Sequence, residues 1–593
     1  MTQLSGEVAS VRFHNRDNGY SVFTLDVPKS PSIICVGTMV APSPGMKVKL
    51  FGCDAEHPKF GKQFQFESYT TEIPNDAGAF AEFLHVQVDG LHKREIKKMM
   101  DTHTVEEVGA LLEDPEALAE YVPKDRIRRV VDSWNERKHL SAALMELTAL
   151  GIPPGMGAKI ARAWGAETMS KIQANPYDMT YIYGIGFKSA DTIARNHLNI
   201  SASDPRRLCS LVTCTLENAG NDGHCYLYLE DLLERMESES GVHRDYIDIK
   251  KYIHENPDVV VEDFRVYPKK YYWYETAVAK AITRLTKKHT LKADIEQFIN
   301  DYQSRREVAF SEEQKIAIRN AASSSFSIVS GLPGTGKTFV VRALVELAQQ
   351  VGLSISLCAP TGKAARRLAE VTGVNEASTI HRLLDFHPAE GWRVNAEAPL
   401  CSDLVIVDES SMMDIELAYR LLTALDETSV VFVGDYAQLP SVGPGNVLSD
   451  IIKSKQVPVV KLEKIFRQAE KSRIITNAHK LHRGQHLDLS DADDFEFLEA
   501  NTPEECFEKV MESYNRNRAF FPEVQIIAPV YKTACGVDAF NAAAQVWCNP
   551  PSPSKNEYKV GKERVFRDGD RVIQCKNNYD LGIVNGEIGY IDR

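Results

Sequence analysis

The sequence predicts a multidomain α/β protein. Its 593 residues correspond to about three to five domains at ~100–200 residues each. Beyond about residue 305, apolar segments of strand length alternate with helical segments, which is typical of a parallel α/β sheet. Gly331 to Thr338 reads G-x-x-x-x-G-K-T, a P-loop, and its position between such a strand and such a helix disfavours a chance glycine turn.

The composition is that of an ordinary globular chain, with 43% hydrophobic and 25% charged residues. The segment MTQLSGEVASVRF lacks the apolar core of a signal peptide. The sequence has no run of ~18 apolar residues, so we predict no membrane-spanning helix and no membrane partner. The eleven cysteines include no C-x-x-C pair, which predicts free thiols in a cytoplasmic protein rather than a zinc site. The net charge of −13 (69 − 82) disfavours a wholesale polyanion coat but allows a local basic channel.

Residues 1–75 are predicted to form a small β domain. The segment GEVASVRFHNRDNGYSVFTLDV has alternating apolar positions on both sides of a turn signal at Asn15 to Gly19. IICVGTMV, KVKLFG and KQFQFESY continue in the same style. The pattern favours a small β-barrel of OB type, and a small sandwich is the alternative.

Residues 76–200 are predicted to be a helical helix–hairpin–helix region. Two glycine-rich turns enter helices there, GIPPGMGAKIARAWG and IYGIGFKSADTIARNHL, and they carry Lys159 and Lys188. A helix–hairpin–helix turn offers backbone N–H groups to a DNA phosphate without reading bases. The weaker VDGLHKREIKKMM precedes them. Both lysines are therefore candidate DNA contacts, and a plain corner between two helices is the alternative.

Residues 201–304 are predicted to be a helical connector. Its run KKYYWYETAVAKAITRLTKK mixes cations with Tyr271, Tyr272, Trp273 and Tyr274. Basic and aromatic residues together are typical of a surface on which single-stranded bases stack. We favour the other interpretation, an amphipathic helix that packs its aromatic residues inward.

The P-loop predicts a phosphate site. Its glycines let backbone N–H groups turn around phosphate oxygens, and the helix that follows adds a favourable dipole. Lys337 is expected to reach the β- and γ-phosphates and Thr338 to ligate Mg²⁺. The candidate nucleotide-binding residues of the loop are Gly331, Pro333, Gly334, Thr335, Gly336, Lys337 and Thr338. The candidate strands around it are SIVSG, SISLCAP, LVIVDES, VVFVGD and VQIIAPV.

Polar side chains elsewhere complete the predicted nucleotide site. In LVIVDESSM, Asp408 is expected to hold Mg²⁺, through water, and Glu409 to polarise the attacking water. Gln438 follows VVFVGD and is placed to touch both the γ-phosphate and a DNA path. The amide of Gln314 can pair with the adenine edge, which would select ATP over GTP. Arg467 offers a fixed fork of donors to the charge that develops in phosphoryl transfer.

These segments, in this order, resemble the RecD-type DNA helicases of superfamily 1, in the branch that moves 5′→3′. The matching motor segments are GLPGTGKT, CAPTGKAARRLAE, ASTIHRLL, VDESSMMD, GDYAQLPSVGPGNVL, IFRQ and IIAPVYKTACGVDAFN. GEVASVRFHNRDNGYSVF, NPYDMTYIYGIGFKSADTIA and NDGHCYLYLEDLL are similar to the N-terminal extension of the stand-alone kind. The resemblance covers nearly the whole chain, and GDYAQLPSVGPG is far more specific to this family than the P-loop.

The resemblance implies two RecA-like P-loop lobes. The first is expected at 305–455, with a hairpin insertion near 382–400 that splits the duplex, and the start of the second at 456–550. The implied cofactors are ATP and Mg²⁺. The implied partners are single-stranded DNA and DNA with a 5′ tail.

The resemblance also implies roles for individual residues. Pro360, Thr361 and Gly362 are expected to contact the backbone of the single strand. Gln314 is expected to read adenine, and Arg467 to lie near the γ-phosphate across the two lobes.

The C-terminal segment departs from the family pattern. DGDRVIQCKNNYDLGIVNGEIGYIDR resembles the opening strands of an SH3-like insertion, which is therefore predicted to start within 551–593. Two later family motifs, a T-x-H-K-x-Q-G-like and a T-R-A-like segment, occur nowhere in the sequence. We expect an incomplete second lobe, from truncation or, less favoured, because another chain supplies the rest. Such a chain is expected to bind ATP, to hydrolyse it poorly and to unwind nothing.

The sequence thus predicts an ATP-dependent 5′→3′ DNA helicase of RecD type in DNA repair or recombination. One alternative is a module that binds ATP and DNA without unwinding. The other is an ATPase that acts on RNA or protein, which the family resemblance disfavours.

Overall fold

The computed structural model divides into two compact units. The first comprises residues 1–215 and 229–261, and the second comprises 216–228 and 262–593. The predicted connector, 201–304, is therefore divided between the units. The described residues are 2–14, 20–28, 30–39, 42, 44–57, 61–72, 77–240, 249–286, 293–374, 376–387, 390–464, 471–521, 523–560, 564–575, 583 and 585–592.

The strands in the described part of the chain are short outside the first domain. They are β1 (Thr2–His14), β2 (Tyr20–Asp26), β3 (Ile33–Thr38), β4 (Lys47–His57), β5 (Gly61–Glu72), β6 (Leu227–Tyr228), β7 (Val259–Glu262), β8 (Arg265–Pro268), β9 (Phe326–Gly331), β10 (Ile355–Ala359), β11 (Ala377–Thr379), β12 (Phe386–His387), β13 (Gly391–Trp392), β14 (Leu404–Val407), β15 (Ser429–Gly434), β16 (Val459–Leu462), β17 (Glu557–Val560), β18 (Arg564–Arg567), β19 (Arg571–Ile573) and β20 (Ile588–Tyr590).

The α-helices of the same residues fill most of the predicted helical region, 76–200. The predicted helical connector, 201–304, also contains the three-stranded sheet of β6, β8 and β7. The helices are α1 (Ala77–Gln87), α2 (Lys93–Met100), α3 (Val105–Leu111), α4 (Pro115–Leu118), α5 (Lys124–Ala149), α6 (Pro154–Trp164), α7 (Thr168–Ala174), α8 (Phe187–His197), α9 (Pro205–Asn221), α10 (Leu229–Ser240), α11 (Ile249–Glu255), α12 (Lys269–Leu285), α13 (Ile295–Arg306), α14 (Glu312–Ser323), α15 (Lys337–Gln350), α16 (Gly362–Thr372), α17 (Ile380–Leu383), α18 (Ile415–Ala424), α19 (Val447–Ser454), α20 (Arg473–His482), α21 (Pro503–Arg518) and α22 (Val537–Cys548).

The first unit begins with a closed β-barrel, so the barrel prediction is confirmed. Its strand order is β1-β2-β3-β5-β4, and β3 pairs with β5 in parallel while the other neighbours are antiparallel. Alternate residues of β2 are buried, as the apolar alternation predicts, and Phe23 and Leu25 are fully enclosed. The predicted turn at Asn15 to Gly19 lies outside the described residues.

Both predicted helix–hairpin–helix turns lead into helices. Gly151 (φ +73°) precedes α6, and Gly184 (φ +81°) precedes α8, so each turn uses a left-handed backbone that glycine adopts without strain. A buried ion pair holds the second turn in place. Arg207 is 1% exposed, and its Nε and Nη2 donate to the two carboxylate oxygens of Asp191 at 2.8 and 2.9 Å. The hydroxyl of Tyr177 donates to the same carboxylate at 2.8 Å.

The second unit is built on a parallel sheet, as the alternating pattern predicts. Its strand order is β11-β10-β14-β15-β9-β16, and every neighbouring pair is parallel. The residues of β9, β14 and β15 are all buried, which explains their continuous apolar runs. Separate hydrophobic clusters on the two faces of the sheet enclose it between helices. These strands confirm four of the predicted segments: SIVSG, SISLCAP, LVIVDES and VVFVGD.

The fifth predicted strand, VQIIAPV, is wrong. Its described residues have no strand structure, and Ile527 is 90% exposed. A strand requires a partner for its backbone groups, and none of the described strands pairs with this segment. Farther along the chain, β17 pairs with β18 and β19 with β20, both antiparallel, in the region predicted to open an SH3-like domain.

The basic and aromatic run forms α12, and most of its rings pack inward, as we favoured. Tyr271 and Tyr274 pack against the hydrophobic cluster that contains Val278 and Ile282, whereas Trp273 is 64% exposed. This packing explains why residues from 262 onward belong to the second unit. Among the described helices, none has the length and apolar composition that crossing a bilayer requires.

Candidate active site

The P-loop lies between β9 and α15 and closes tightly on itself. A Cβ at Gly331 would lie 2.6 Å from Oγ1 of Thr335 and 2.9 Å from the carbonyl oxygen of Leu462. Gly334 (φ +79°) and Gly336 (φ +82°) take left-handed backbone conformations. These glycines therefore allow a tight turn at the carboxyl end of a buried strand, followed by a helix whose first N–H groups have no intrahelical partner.

Some side chains of the P-loop stabilise the loop, and others are exposed to solvent. Thr335 is 2% exposed and donates to the carbonyl oxygen of Leu332 at 2.8 Å, so it closes the loop. Lys337 is half-buried; its Nζ donates to the carbonyl oxygen of Gly331 and, at 3.4 Å, to that of Leu332. Pro333 and Thr338 are exposed, so the Thr338 hydroxyl is accessible to a ligand.

Two carboxylates follow β14 at the same edge of the sheet. Asp408 N donates to the carbonyl oxygen of Cys358 at 2.9 Å, and an Asp408 carboxylate oxygen accepts from Glu409 N at 2.9 Å. Burial raises the pKa of both acids, and the neighbouring Asp408 charge raises that of Glu409 further. Glu409 has a left-handed backbone (φ +51°), a strained conformation typical of functional positions.

Electrostatics link these groups to Lys337. Burial lowers the pKa of the Lys337 ammonium, and the charge of Asp435 opposes that shift most strongly, followed by those of Glu409 and Asp408. The ammonium of Lys337 therefore lies close to three carboxylates, those of Asp408, Glu409 and Asp435. Asp408 and Thr338 carry the types of oxygen, carboxylate and hydroxyl, that Mg²⁺ prefers as ligands.

Two charged residues at this edge were not assigned by the sequence analysis. Asp435 directly follows β15 and is 1% exposed. It lies within the quoted segment GDYAQLPSVGPG, so its position offered a signal. Arg367 of α16 is exposed, and its charge lowers the pKa of Asp408 and of Glu409 against the effect of burial. Only the packing of α16 beside the sheet brings Arg367 near these acids.

Gln314 lies under the P-loop, where its amide already has partners. Its Nε2 donates to the carbonyl oxygen of Thr335 at 3.5 Å, and its Oε1 accepts from Ser311 N at 3.0 Å. Together with the Ser311 hydroxyl, it forms a capping box at the start of α14. Reading of adenine by Gln314 stays a prediction.

The residues predicted to contact single-stranded DNA follow β10 at this same edge. Thr361 is the N-cap of α16 and accepts from Ala364 N at 3.3 Å, while Pro360 and Gly362 are half-buried on either side. Gln438 follows β15 and has an exposed side chain. The structure thus places this loop and Gln438 beside the nucleotide site, whereas Arg467 lies outside the described residues.

Both lysines predicted to contact DNA belong to the helix–hairpin–helix region. Lys188 is exposed on α8, and Lys159 is half-buried on α6. A Cβ at Gly184 would lie 2.8 Å from Lys159 Nζ, so the ammonium of the first copy rests on the turn of the second. The turn at Gly184 in the second helix–hairpin–helix copy therefore carries a positive charge that the first copy supplies.

The predicted hairpin insertion is present. Phe386 of β12 pairs with Trp392 of β13, and His387 pairs with Gly391, both antiparallel. The hairpin follows α17 and precedes β14, the strand that leads to Asp408.

Family models match most of the chain. The models described as the OB-fold domain of the ATP-dependent DNA helicase YrrC, the HHH domain of ATP-dependent RecD2 DNA helicases, an AAA domain and the SH3 domain of ATP-dependent RecD-like DNA helicases match residues 1–74, 136–226, 309–502 and 540–593. Three of these descriptions name an ATP-dependent DNA helicase, and two of the three name a RecD2 or RecD-like one. Their order along the chain agrees with the barrel, the hairpin turns and the C-terminal strands described above.

Individual relatives agree with the family models. The ATP-dependent RecD2 DNA helicase of Deinococcus radiodurans is 29% identical over 99% of this chain and 84% of its own. The RecBCD enzyme subunit RecD of Mycolicibacterium smegmatis is 31% identical over 47% of this chain and 57% of its own. A solved structure of Pif1 helicases at forked duplex DNA aligns with 48% of this chain and 72% of its own at 20% identity, with a TM-score of 0.29, too low to support a conclusion. With a P-loop site of the expected construction and near full-length similarity, the chain belongs to the RecD-type DNA helicases of superfamily 1 and is an ATP-dependent DNA helicase.

Proposed function

We propose that the chain moves 5′→3′ along single-stranded DNA and separates a duplex that carries a 5′ tail. One observation carries this proposal: Lys337, Asp408 and the loop that starts at Pro360 follow strands of one parallel sheet at the same edge. A change at the phosphate site can therefore act directly on the strand-contacting loop. The direction of movement rests on the resemblance of the motor segments to the 5′→3′ branch.

In the proposed reaction, the residues at the sheet edge bind and activate rather than form covalent bonds. The ammonium of Lys337 would leave the P-loop carbonyls and bind the phosphate charge that grows in transfer, which preorganised donors stabilise. Thr338 and Asp408 would hold Mg²⁺, which neutralises phosphate charge when bound. Glu409 would accept a proton from the attacking water, and Gln438 would sense the γ-phosphate. Arg467 is proposed to supply a donor from the second lobe.

Single-stranded DNA would bind by its backbone along Pro360, Thr361 and Gly362. Contacts of this kind carry little sequence preference and weaken with salt. The hairpin formed by β12 and β13 is proposed to meet the duplex at the junction. The shared turn of Lys159 and Gly184, together with exposed Lys188, is proposed to hold a second stretch of phosphate backbone.

The test compares DNA-dependent activities of the chain with those of Lys337→Ala, which removes the phosphate-binding ammonium. ATP hydrolysis is measured with single-stranded DNA, single-stranded RNA and no nucleic acid. Strand displacement is measured on duplexes with a 5′ tail, a 3′ tail or blunt ends. The proposal predicts hydrolysis stimulated by DNA more than by RNA, and displacement of the 5′-tailed duplex alone. The sequence-based expectation of a chain that unwinds nothing predicts displacement of none of the three duplexes.

Each alternative has its own result. ATP and DNA binding without stimulated hydrolysis would support the binding module, and stimulation by RNA at least equal to that by DNA would support an RNA-directed ATPase. Displacement of the 3′-tailed duplex would contradict the proposed direction. Roles in DNA repair or recombination and a cytoplasmic location stay predictions from the sequence.

A further inference from the structure

Aromatic rings form a continuous cluster at the base of the hairpin. The ring centroid of Trp392 lies 4.6 Å from that of Phe386 and 5.1 Å from that of His381. Burial lowers the pKa of His381, which favours the neutral ring suited to this apolar contact. Val394 N donates to the carbonyl oxygen of Leu384 at 3.1 Å and closes the base. The hairpin is therefore packed into the first lobe at its base.

Arg420 of α18 connects this cluster to a second pair of rings. Its guanidinium carbon lies 5.7 Å from the ring centroid of Trp392, 5.2 Å from that of Tyr419 and 5.8 Å from that of Tyr274. Tyr274, from α12, stacks on Tyr419 with centroids 4.6 Å apart. A guanidinium within ~6 Å of a ring centroid is attracted by the ring. Three rings from different elements thus surround one cation.

The hydrogen bonds of Arg420 do not account for its placement. Its Nη2 donates to an oxygen of Glu416, one turn earlier on the same helix, at 3.2 Å. Its Nε is buried and has no hydrogen-bond partner among the described residues. The Glu416 oxygen that accepts from Arg420 also accepts from the hydroxyl of Tyr274, in α12, at 3.5 Å. Ring faces and this shared carboxylate therefore hold Arg420 in place, and Arg420 joins the hairpin to α12 and α18 rather than stabilising one helix.

The helix that carries Arg420 begins close to the nucleotide site. Its N-cap, Asp414, follows the segment that starts at Asp408 and Glu409. Ile415 N donates to the carbonyl oxygen of Pro444 at 2.8 Å. The loop of Pro444 also continues from Gln438, so α18 contacts two segments that leave the carboxyl edge of the sheet. A displacement of either segment would move the start of this helix.

We propose that Arg420 is a positioning residue for strand separation. Its contacts with Tyr274, Tyr419 and Trp392 hold the hairpin at a fixed orientation to α18, so the hairpin follows the segment that leaves Asp408. This inference rests on the proposed placement of the hairpin at the duplex junction. Arg420 is placed in neither the nucleotide site nor the strand-contacting loop, so its loss is expected to spare ATP binding and single-strand binding.

The test uses a forked duplex with a 5′ tail and 2-aminopurine in the first base pair of the junction. Fluorescence is measured on binding of the chain with a non-hydrolysable ATP analogue, so the readout does not require turnover. Arg420→Gln removes the cation, Arg420→Lys keeps it, and Lys453→Gln removes an exposed cation of α19 that pairs with Asp450 at 3.7 Å. Single-strand affinity, analogue affinity and thermal transitions are measured for each protein.

We expect Arg420→Gln to lower the increase in junction fluorescence about fivefold, the change that corresponds to losing cation–ring attraction of about 1 kcal/mol. Arg420→Lys should retain part of the signal, and Lys453→Gln should match the unaltered chain. Single-strand affinity should change by less than about twofold because phosphate contacts are intact.

Unchanged junction fluorescence in Arg420→Gln would overturn the inference. If that variant loses its thermal transition, Tyr274→Leu, which keeps apolar volume and removes the ring, replaces it, and an unchanged signal there overturns the inference equally. An unaltered chain that gives no junction signal overturns the proposed function and the inference together. The two failures are therefore distinguishable.

Discussion

The side-chain nitrogen of Gln314 lies 3.5 Å from the carbonyl oxygen of Thr335, within the P-loop. The amide oxygen of the same side chain accepts from Ser311 N, and the side chain is 1% exposed. Gln314 thus supports the P-loop with the same amide that the sequence predicts to pair with adenine. The two roles predict different effects on the use of GTP. Pairing with adenine favours ATP over GTP, whereas support of the P-loop does not depend on the base.

We expect Gln314→Ala to raise the Michaelis constant for ATP about tenfold, the effect of one or two lost hydrogen bonds. If the amide pairs with adenine, the advantage of ATP over GTP should shrink as well. Steady-state hydrolysis with both nucleotides measures the two effects, and Lys315→Ala, which changes a partly exposed neighbour paired with Glu312, is the control. If the preference of Gln314→Ala for ATP over GTP equals that of the unaltered chain, Gln314 does not read adenine and only supports the P-loop.

Glu409→Gln should bind ATP but hydrolyse it about 10²–10⁴-fold more slowly, because the amide cannot accept a proton from water. Nucleotide affinity is measured by equilibrium binding and turnover by phosphate release. Glu370→Gln, which neutralises an exposed acid of α16, is the matched control. Turnover by Glu409→Gln like that of the unaltered chain would exclude Glu409 as the base.

Charge reversal at the shared hairpin turn should weaken DNA binding. With Lys159 and Lys188 both changed to Glu, we expect affinity for forked and duplex DNA to fall at least tenfold at low salt, since phosphate contacts are electrostatic. Basal ATP hydrolysis should stay unchanged. Arg128→Glu reverses a cation of α5 that is 94% exposed and is the control. Unaltered binding to every form of DNA would leave the helix–hairpin–helix region with a structural role.

Breaking the buried ion pair of the first unit should be costly. Arg207→Met leaves the carboxylate of Asp191 without its partner, and we expect the unfolding free energy to fall by about 3–5 kcal/mol. The neighbour Arg206 pairs with Asp204 but is 36% exposed, so Arg206→Met should cost less than about 1 kcal/mol. Urea unfolding followed by tryptophan fluorescence compares them, and equal costs would contradict the dependence on burial.

Glu275 should make the second unit less stable at higher pH. Burial raises the pKa of its carboxyl, Asp450 adds to the shift, and hydrogen bonds from Cys225 and Tyr267 and the charge of Arg265 oppose it. The folded protein therefore holds this proton at a pH where the unfolded chain has lost it. Stability falls as pH rises from the unfolded value, about 4.3, through the raised folded value.

We therefore expect Glu275→Gln to raise the thermal midpoint at about pH 8, where the ionised carboxylate is penalised, and to lose that advantage at about pH 4. Thermal unfolding across this range measures the effect. Glu217→Gln, at a site 54% exposed, should show no such trend. A midpoint of Glu275→Gln below that of the unaltered chain at pH 8 would contradict the assignment.

Local patterns predicted most of the fold. The alternation in β2, the buried runs of β9 and β15 and the glycines of the P-loop each encode structure within a few neighbouring residues. The segment VQIIAPV has the same composition yet is not a strand, because strand formation depends on a partner that composition does not report.

The sequence by itself determined the kind of protein, since the P-loop, the acids after LVIV and the order of the motor segments are read along the chain. Only the tertiary structure decided which distant residues meet. It placed Lys159 on the turn at Gly184, Asp435 and Arg367 beside the acids, and Arg420 among rings of three elements. Sequence motifs record local geometry, whereas these contacts depend on how separate elements pack, which no spacing along the chain specifies.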